Sequence, residues 1–257
     1  MITDYLRPQS IEQAIDLLSN PDFYPLGGGT LLTQKSDDSF AVVDLQELGL
    51  NKIHKVGEKL EIGATVTLSL LLESPHILPA LATVLQREGP VNLRNSATVA
   101  GSLVSCDGRS TFSVAMLSMD AKLIFTSGVE SVTLGNYLPM RLSVGSVHPS
   151  LPGKLITKIV IPHNVRFAFE TVARTPGDKP IVCAALTRWP SGRTRLALGG
   201  YSTAPILALD GNEPGGFEAA ARNAYAGASD EWASAEYRSE IAAVLAMRCA
   251  SAIAIIK

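Results

Sequence analysis

Cysteine is scarce in this 257-residue chain: Cys106, Cys183 and Cys249 lie far apart and form no CxxC pair. An iron–sulfur cluster usually takes four thiolates from closely spaced motifs, so the chain is not expected to hold one by itself. The odd count and the scatter argue against a disulfide framework and make a reducing, cytoplasmic setting the expectation. A charge of one sign is also missing. Lysine and arginine number 22 against 24 acids, which argues against the basic face of a nucleic-acid binder. Nor is there a long apolar run. The nearest, Ile241–Ile256, spans 16 residues with Arg248 inside it, short of the ~20 that cross a bilayer, and reads as a buried helix. The N-terminus lacks the basic-then-apolar pattern of a signal peptide. His54, His76, His148 and His163 show no metal-ligand spacing, and no P-loop, GxGxxG fingerprint or GxSxG elbow occurs.

What is present is ordinary globular material, 46% hydrophobic, enough for one large domain or two smaller ones. Ser10 precedes an apolar stripe at Ile11, Ala14, Ile15, Leu17 and Leu18, predicting a capped helix. Asn20-Pro21 ends it, and Phe23–Leu26 reads as a strand running into Gly27-Gly28-Gly29. A helical turn at Thr30–Gln34 and a strand at Ala41–Asp44 follow. Lys52–Val56 and Leu60–Gly63 flank Gly57-Glu58 as a hairpin. Thr67–Leu72 and Ile77–Glu88 read as helices, Gly89 through Gly108 as a long loop, Ser110–Met119 as a helix, and Ala121–Phe125, Val129–Thr133 and Leu155–Ile161 as strands. A domain boundary is expected at Pro162–Asn164. Beyond it, three strands (Phe167–Ala173, Ile181–Thr187, Arg195–Gly200) and two helices (Phe217–Tyr225, Ala233–Ile256) predict a small α+β layer. Trp189 and Trp232 sit beside turn or cap residues and read as packing.

Two segments carry chemistry. In Leu26-Gly27-Gly28-Gly29-Thr30-Leu31-Leu32, three glycines directly after a strand allow positive φ and close backbone approach. Consecutive N–H groups make a concave anion site, and the helix start beyond favours negative charge. A pyrophosphate meets these requirements; so does a tight strand-to-helix turn with no ligand. The second segment, Asn92 through Leu103, is a small-residue polar stretch with one cation, Arg94. Long loops of this composition are either functional or self-packed.

Together, in this order, LGGGTLL and NLRNSATVAGSL resemble the paired loops of the FAD domain in the medium subunits of molybdenum hydroxylases, the family of xanthine dehydrogenase and aerobic carbon monoxide dehydrogenase, where the patterns are close to AGGTDLL and QIRNxATIGGNL. Tyr5-Leu6-Arg7-Pro8 with Ile11-Glu12-Gln13-Ala14 resembles the family's opening. Gly153 through Pro162 resembles "GEIITxIxIP". Phe169 through Ala184, Ala197 through Gly200, and Ala235-Glu236-Tyr237-Arg238 resemble its C-terminal domain. The resemblance implies an α+β architecture: a vanillyl-alcohol-oxidase (PCMH)-type FAD-binding fold of two subdomains, plus a small C-terminal α+β domain with a three-stranded antiparallel sheet and helices. The boundaries expected are 1–162 for the FAD-binding domain, with subdomains of about 1–50 and 51–162, and 165–257 for the C-terminal domain.

The resemblance implies FAD held by Leu26, Gly27, Gly28, Gly29, Thr30, Leu31 and Leu32, by Thr98, Val99, Ala100, Gly101 and Ser102, largely through main-chain amides, with Ile156 near the flavin. Thr111 stands where the family often has an Asp. No side chain is expected to act as acid or base. The implied partners are a 2Fe-2S ferredoxin-like small subunit, which delivers electrons, and a molybdopterin-binding large subunit, where substrate is oxidised. NAD+ is a possible acceptor. The chain departs from the pattern at Ala100 and Ser102, at Lys154 (a Glu in the family), and at Glu170–Thr171, near which the family has a Lys. Two other readings stay open: a structural subunit that keeps the fold without flavin, and a free-standing flavin reductase of the kind found in peptidoglycan-precursor synthesis, for which no Ser or Glu general acid is evident.

Overall fold

The computed structural model describes residues 1–34, 39–126, 130–143, 154–212 and 215–255. Val129, His148, Gly153 and Ile256, named above, lie outside them. In chain order the elements are β1 (Ile2–Leu6), α1 (Ile11–Leu18), β2 (Phe23–Leu26), β3 (Phe40–Asp44), β4 (Ile53–Val56), β5 (Lys59–Gly63), α2 (Leu68–Leu72), α3 (Pro79–Glu88), α4 (Val91–Ser96), α5 (Val99–Val104), α6 (Thr111–Ser118), β6 (Lys122–Phe125), β7 (Ser131–Thr133), α7 (Leu134–Ser143), β8 (Ile156–Pro162), β9 (Arg166–Val172), β10 (Val182–Arg188), β11 (Thr194–Gly199), β12 (Ile206–Gly211), α8 (Phe217–Ala224) and α9 (Ala235–Ile255). They form two compact units. The first takes Met1–Ser74, Val91–Ser105 and Lys122–Val160; the second takes Pro75–Pro90, Cys106–Ala121 and Ile161–Lys257.

The first unit contains a three-stranded parallel sheet in the order β1-β3-β2. Its central strand β3 is buried at every residue, as a strand covered on both faces must be. Helix α1 starts where Ser10 accepts a hydrogen bond from the Gln13 N–H; such a cap contributes about 1 kcal/mol. Ala14 and Leu18 on its apolar stripe pack with Val43, Leu45 and Leu155. Buried Asp44, at the end of β3, accepts from the Tyr5 hydroxyl and from Arg7 Nε, tying β1 to the sheet centre. β1 escapes sequence reading because its three middle residues are exposed and show no alternation. The unit's second sheet has five strands in the order β4-β5-β8-β6-β7. Helix α7 was also unexpected. It carries Pro139 inside, a residue that normally argues against a helix.

One expectation is corrected here. Gly89 through Gly108 is not one long loop, because it contains α4 and α5. Thr98 caps α5 by accepting from the Gly101 N–H at 3.2 Å.

The second unit is built on an antiparallel sheet in the order β12-β11-β10-β9. The sequence pattern predicts three strands and the structure has four. β12 is an edge strand pairing only with β11, and its burial alternates poorly. One sheet face, including Val182, Ala184, Leu186, Leu196 and Leu198, shares a core with Tyr225, Ala242, Leu245, Ala246 and Cys249 of the C-terminal segment. Helix α6 packs with β10 and β11 and is buried at all eight positions, the mark of a helix enclosed on every side. Glu88 caps it from α3, accepting from Ser110 Oγ, Thr111 Oγ1 and the Phe112 N–H. Burial pushes the Glu88 carboxyl up, against these three donors.

Around this sheet Arg193 chelates Asp210 through two 2.8 Å bonds and also pairs with Asp120 at 2.9 Å, while buried Arg195 reaches both acids. The hydrogen bonds from Arg193 hold the Asp210 carboxyl below its ordinary value of 3.8. A depressed carboxylate stabilises the fold above its unfolded-state value and loses that contribution as the pH falls through its folded-state value. Asp210→Asn is therefore expected to cost about 1–2 kcal/mol at pH 7, allowing for partial exposure. The gap to the parent protein should narrow below about pH 4. Urea titrations at pH 7 and pH 3 measure both arms, and a pH-independent gap would refute the assignment.

Candidate functional site

The glycine bend leaves β2 at Leu26 and turns at Gly29, whose φ of +71° is in the left-handed region that favours glycine. Thr33 then closes the turn, donating its N–H to Gly29 O at 3.1 Å and its hydroxyl to the same oxygen at 2.6 Å. Among the described residues, the main-chain N–H groups of Gly27, Gly28, Gly29, Thr30, Leu31 and Leu32 donate to no protein acceptor. Six successive donors on half-buried residues, with no acceptor among the described residues, are left open to an outside acceptor. Successive donors are also the elements of an anion nest.

The second segment behaves differently. Val99 N–H donates to Val66 O, Ala100 N–H to Ala64 O, Gly101 N–H to Thr98 Oγ1 and Ser102 N–H to Thr98 O. The amides left for an anion are those of the first bend. The second supplies walls.

The bends touch. A Cβ built on Gly28 would stand 1.7 Å from Ser96 O, and one on Gly27 would stand 2.9 Å from Thr98 Oγ1. Glycine is needed at 28 so that the first bend can seat against the C-terminal end of α4. Two adjoining hollows open on this seam, sharing a neck of Pro25, Gly27, Thr98, Gly101 and Val104. One is lined further by Tyr24, Ser105 and Gly28 through Leu32. The other is lined further by Leu45, Ala64, Thr65, Ala100, Phe125, Tyr137, Lys154, Leu155 and Ile156, and both are walled mostly by apolar surface. Lys154 pairs with Glu130 at 2.6 Å.

Of the residues singled out from sequence, Gly27 through Leu32, Thr98, Ala100, Gly101 and Ile156 thus line one bipartite cleft. Leu26 is the last residue of β2, Val99 is fully buried, and Ser102 lies within α5. Thr111 belongs to the second unit, where it is buried and bonds Val84 O and Glu88. Asp107 also lies there, bonded to the Arg109 N–H and to Lys179. Sequence reading did not reach Tyr24, Val104, Phe125 or Tyr137. They carry no motif, and Tyr137 lies in the unexpected helix α7. Lys154 had a signal, its reversal of charge against the resembled pattern.

Residues 1–164 match the family described as the FAD binding domain in molybdopterin dehydrogenase. The chain belongs to this family. This FAD-binding chain is 31% identical over 222 residues to the 6-hydroxypseudooxynicotine dehydrogenase complex subunit alpha of Paenarthrobacter nicotinovorans, covering 78% of this chain and 74% of that one. It is 27% identical over 278 residues to the carbon monoxide dehydrogenase medium chain of Afipia carboxidovorans, covering 95% and 94%. Its fold superimposes on that of a reconstituted CO dehydrogenase from Oligotropha carboxidovorans with a TM-score of 0.79, at 27% identity and covering 98% and 97% of the two chains.

The chain is an FAD-binding medium subunit of the molybdenum hydroxylase family, with the PCMH-type FAD fold. Its cofactor is FAD. The residues present fit such a group, since the open N–H run suits a diphosphate and the apolar walls suit a planar ring system. Among the described residues no group of three or more His, Cys, Asp and Glu is placed to hold a metal, and no helix is long and apolar enough to cross a membrane. Cys106, Cys183 and Cys249 are buried thiols. Burial pushes Cys183 and Cys249 up, which makes them poor nucleophiles.

Proposed function

We propose that the bipartite cleft of the first unit is the FAD site and that the chain carries electrons between a 2Fe-2S partner subunit and a final acceptor such as NAD+. The observation that carries this reading is the run of six N–H groups from Gly27 to Leu32 that find no acceptor among the described residues, at one end of a cleft walled mostly by apolar surface. A dinucleotide has the matching form, an anionic diphosphate next to an extended planar ring.

On this reading the bend from Gly27 to Leu32 binds diphosphate oxygens through main-chain donors. That contact tolerates change in side chains, so the departures at Ala100 and Ser102 leave it intact. Thr98 positions the seam by capping α5. Phe125, Tyr137 and Ile156 wall the ring hollow and exclude water, and Lys154 places a cation at its rim. The bound flavin supplies the one- and two-electron chemistry; the chain binds it, orients it and sets its surroundings. No side chain of the cleft is required as an acid or base. Substrate oxidation belongs to a molybdopterin-binding large subunit, and the division of the chain into 1–162 and 165–257 as FAD-binding and C-terminal domains is part of the same proposal.

The test is purification of the chain with its neighbours. A yellow protein that releases FAD on heating and co-purifies with a cysteine-rich ferredoxin-like chain is the expected result. A colourless protein that takes up no added FAD would leave the flavin-free structural reading in its place.

A further inference from the structure

Arg166 opens β9 and Arg188 closes β10. The antiparallel register sets them directly opposite each other, so their side chains share a face, where like charges destabilise a sheet. Both are exposed, and both line one hollow with Asn164, Trp189, Pro190 and Gly192. Among the described residues no carboxylate is in that lining. The neighbouring arginines of the same sheet make the contrast: Arg193 and Arg195 are balanced by Asp120 and Asp210. Among the described residues Arg188 has no hydrogen-bond or ion-pair partner, and Arg166 makes one long bond, from its NH1 to Ile253 O at 3.4 Å.

We infer that Arg166 and Arg188 form an anion site for a phosphate group carried on a small molecule. The opposed guanidinium groups repel until an anion lies between them, and each presents a planar fork of donors matched to phosphate oxygens. The Trp189 ring, half-buried at the edge of the hollow, already carries the Arg193 guanidinium 5.1 Å from its centre, so the phosphate itself is the group these arginines would select. Every residue of this hollow belongs to the second unit, while the residues of the FAD cleft belong to the first.

The experiment is a melting series of the purified, flavin-loaded chain at fixed ionic strength, with chloride replaced stepwise by inorganic phosphate or by AMP. Phosphate is expected to raise the melting temperature saturably. Arg188→Gln should weaken the apparent affinity about tenfold or more, Arg188→Lys should keep part of it, and unliganded Arg188→Gln should melt no lower than the parent because a repulsion is gone. Tighter binding of AMP than of phosphate would identify a nucleotide, and equal binding the phosphate group alone. A phosphate effect no larger than that of chloride overturns the inference, as does a response that Arg188→Gln leaves unchanged.

Discussion

Replacing Gly28 with valine is expected to abolish retention of FAD. The Cβ has nowhere to go: Ser96 O lies 1.7 Å and its carbonyl carbon 2.6 Å from the built position. These are backbone atoms at the end of α4, which yield only by moving the second bend away. Overpacking of this kind typically costs 1–3 kcal/mol, and more where backbone must shift. It acts on the seam from which the cleft opens, so the donors from Gly27 to Leu32 lose their common orientation. We expect FAD affinity to fall by roughly a hundredfold or more, equivalent to about 2.7 kcal/mol, measured by titrating the flavin-free protein with FAD. Gly177→Ala is the control, because a Cβ there meets nothing within 4 Å. If Gly28→Val still binds FAD like the parent, the cleft is not the flavin site. The structure also gives this glycine a different task from the one its sequence suggests. Its missing side chain makes room for the other loop, rather than for the ligand.

Arg238→Met should produce the largest loss of stability. Arg238 is wholly buried. It donates to Ile181 O at 3.3 Å, to Ala228 O at 3.0 Å, to Ala233 O at 3.4 Å and to Asp230 Oδ1 at 2.7 Å, with its guanidinium 5.1 Å from the Tyr201 ring centre. One cation thereby fastens the segment before α9 to the strand end at Ile181. Methionine donates nothing, so the Ile181 and Ala228 carbonyls lose a donor and Asp230 loses its cation, while Asp230 Oδ1 keeps the Trp232 and Ala233 N–H groups and Ala233 O keeps the Asp230 N–H. Removing a buried cation whose carboxylate partner is partly exposed, together with its hydrogen bonds to carbonyls, costs about 2–4 kcal/mol, which in a chain of this size lowers the midpoint by roughly 4–16 °C. Arg222→Met is the comparison. Its pairs with Glu218 and Glu240 lie at the surface, and it should leave the midpoint nearly unchanged. Calorimetry of the two variants reads the difference; equal melting of Arg238→Met and the parent would mean that the network adds nothing.

The local elements were legible because their causes are local. Ser10 with the stripe from Ile11 to Leu18 specifies α1 to the residue, and Gly57 specifies its hairpin. The two bends were legible as chemistry, since a glycine triplet and a small-residue segment are rare enough in this order to resemble one family. Elements whose signal is pairing rather than periodicity were not legible. β1 and β12 have little alternation of their own and exist because a neighbouring strand supplies their hydrogen bonds. The α4 and α5 helices hide in a composition that reads as loop.

The sequence alone determined the family, the cofactor and the places where the backbone can turn, since these depend on residue type and spacing along the chain. Only the tertiary structure decided which amides stay unpaired. Whether an N–H is free depends on which carbonyl the fold brings within 3 Å of it. For Val99 and Ala100 those carbonyls are on Val66 and Ala64, more than thirty residues away along the chain. For Gly27 through Leu32 the fold brings none among the described residues.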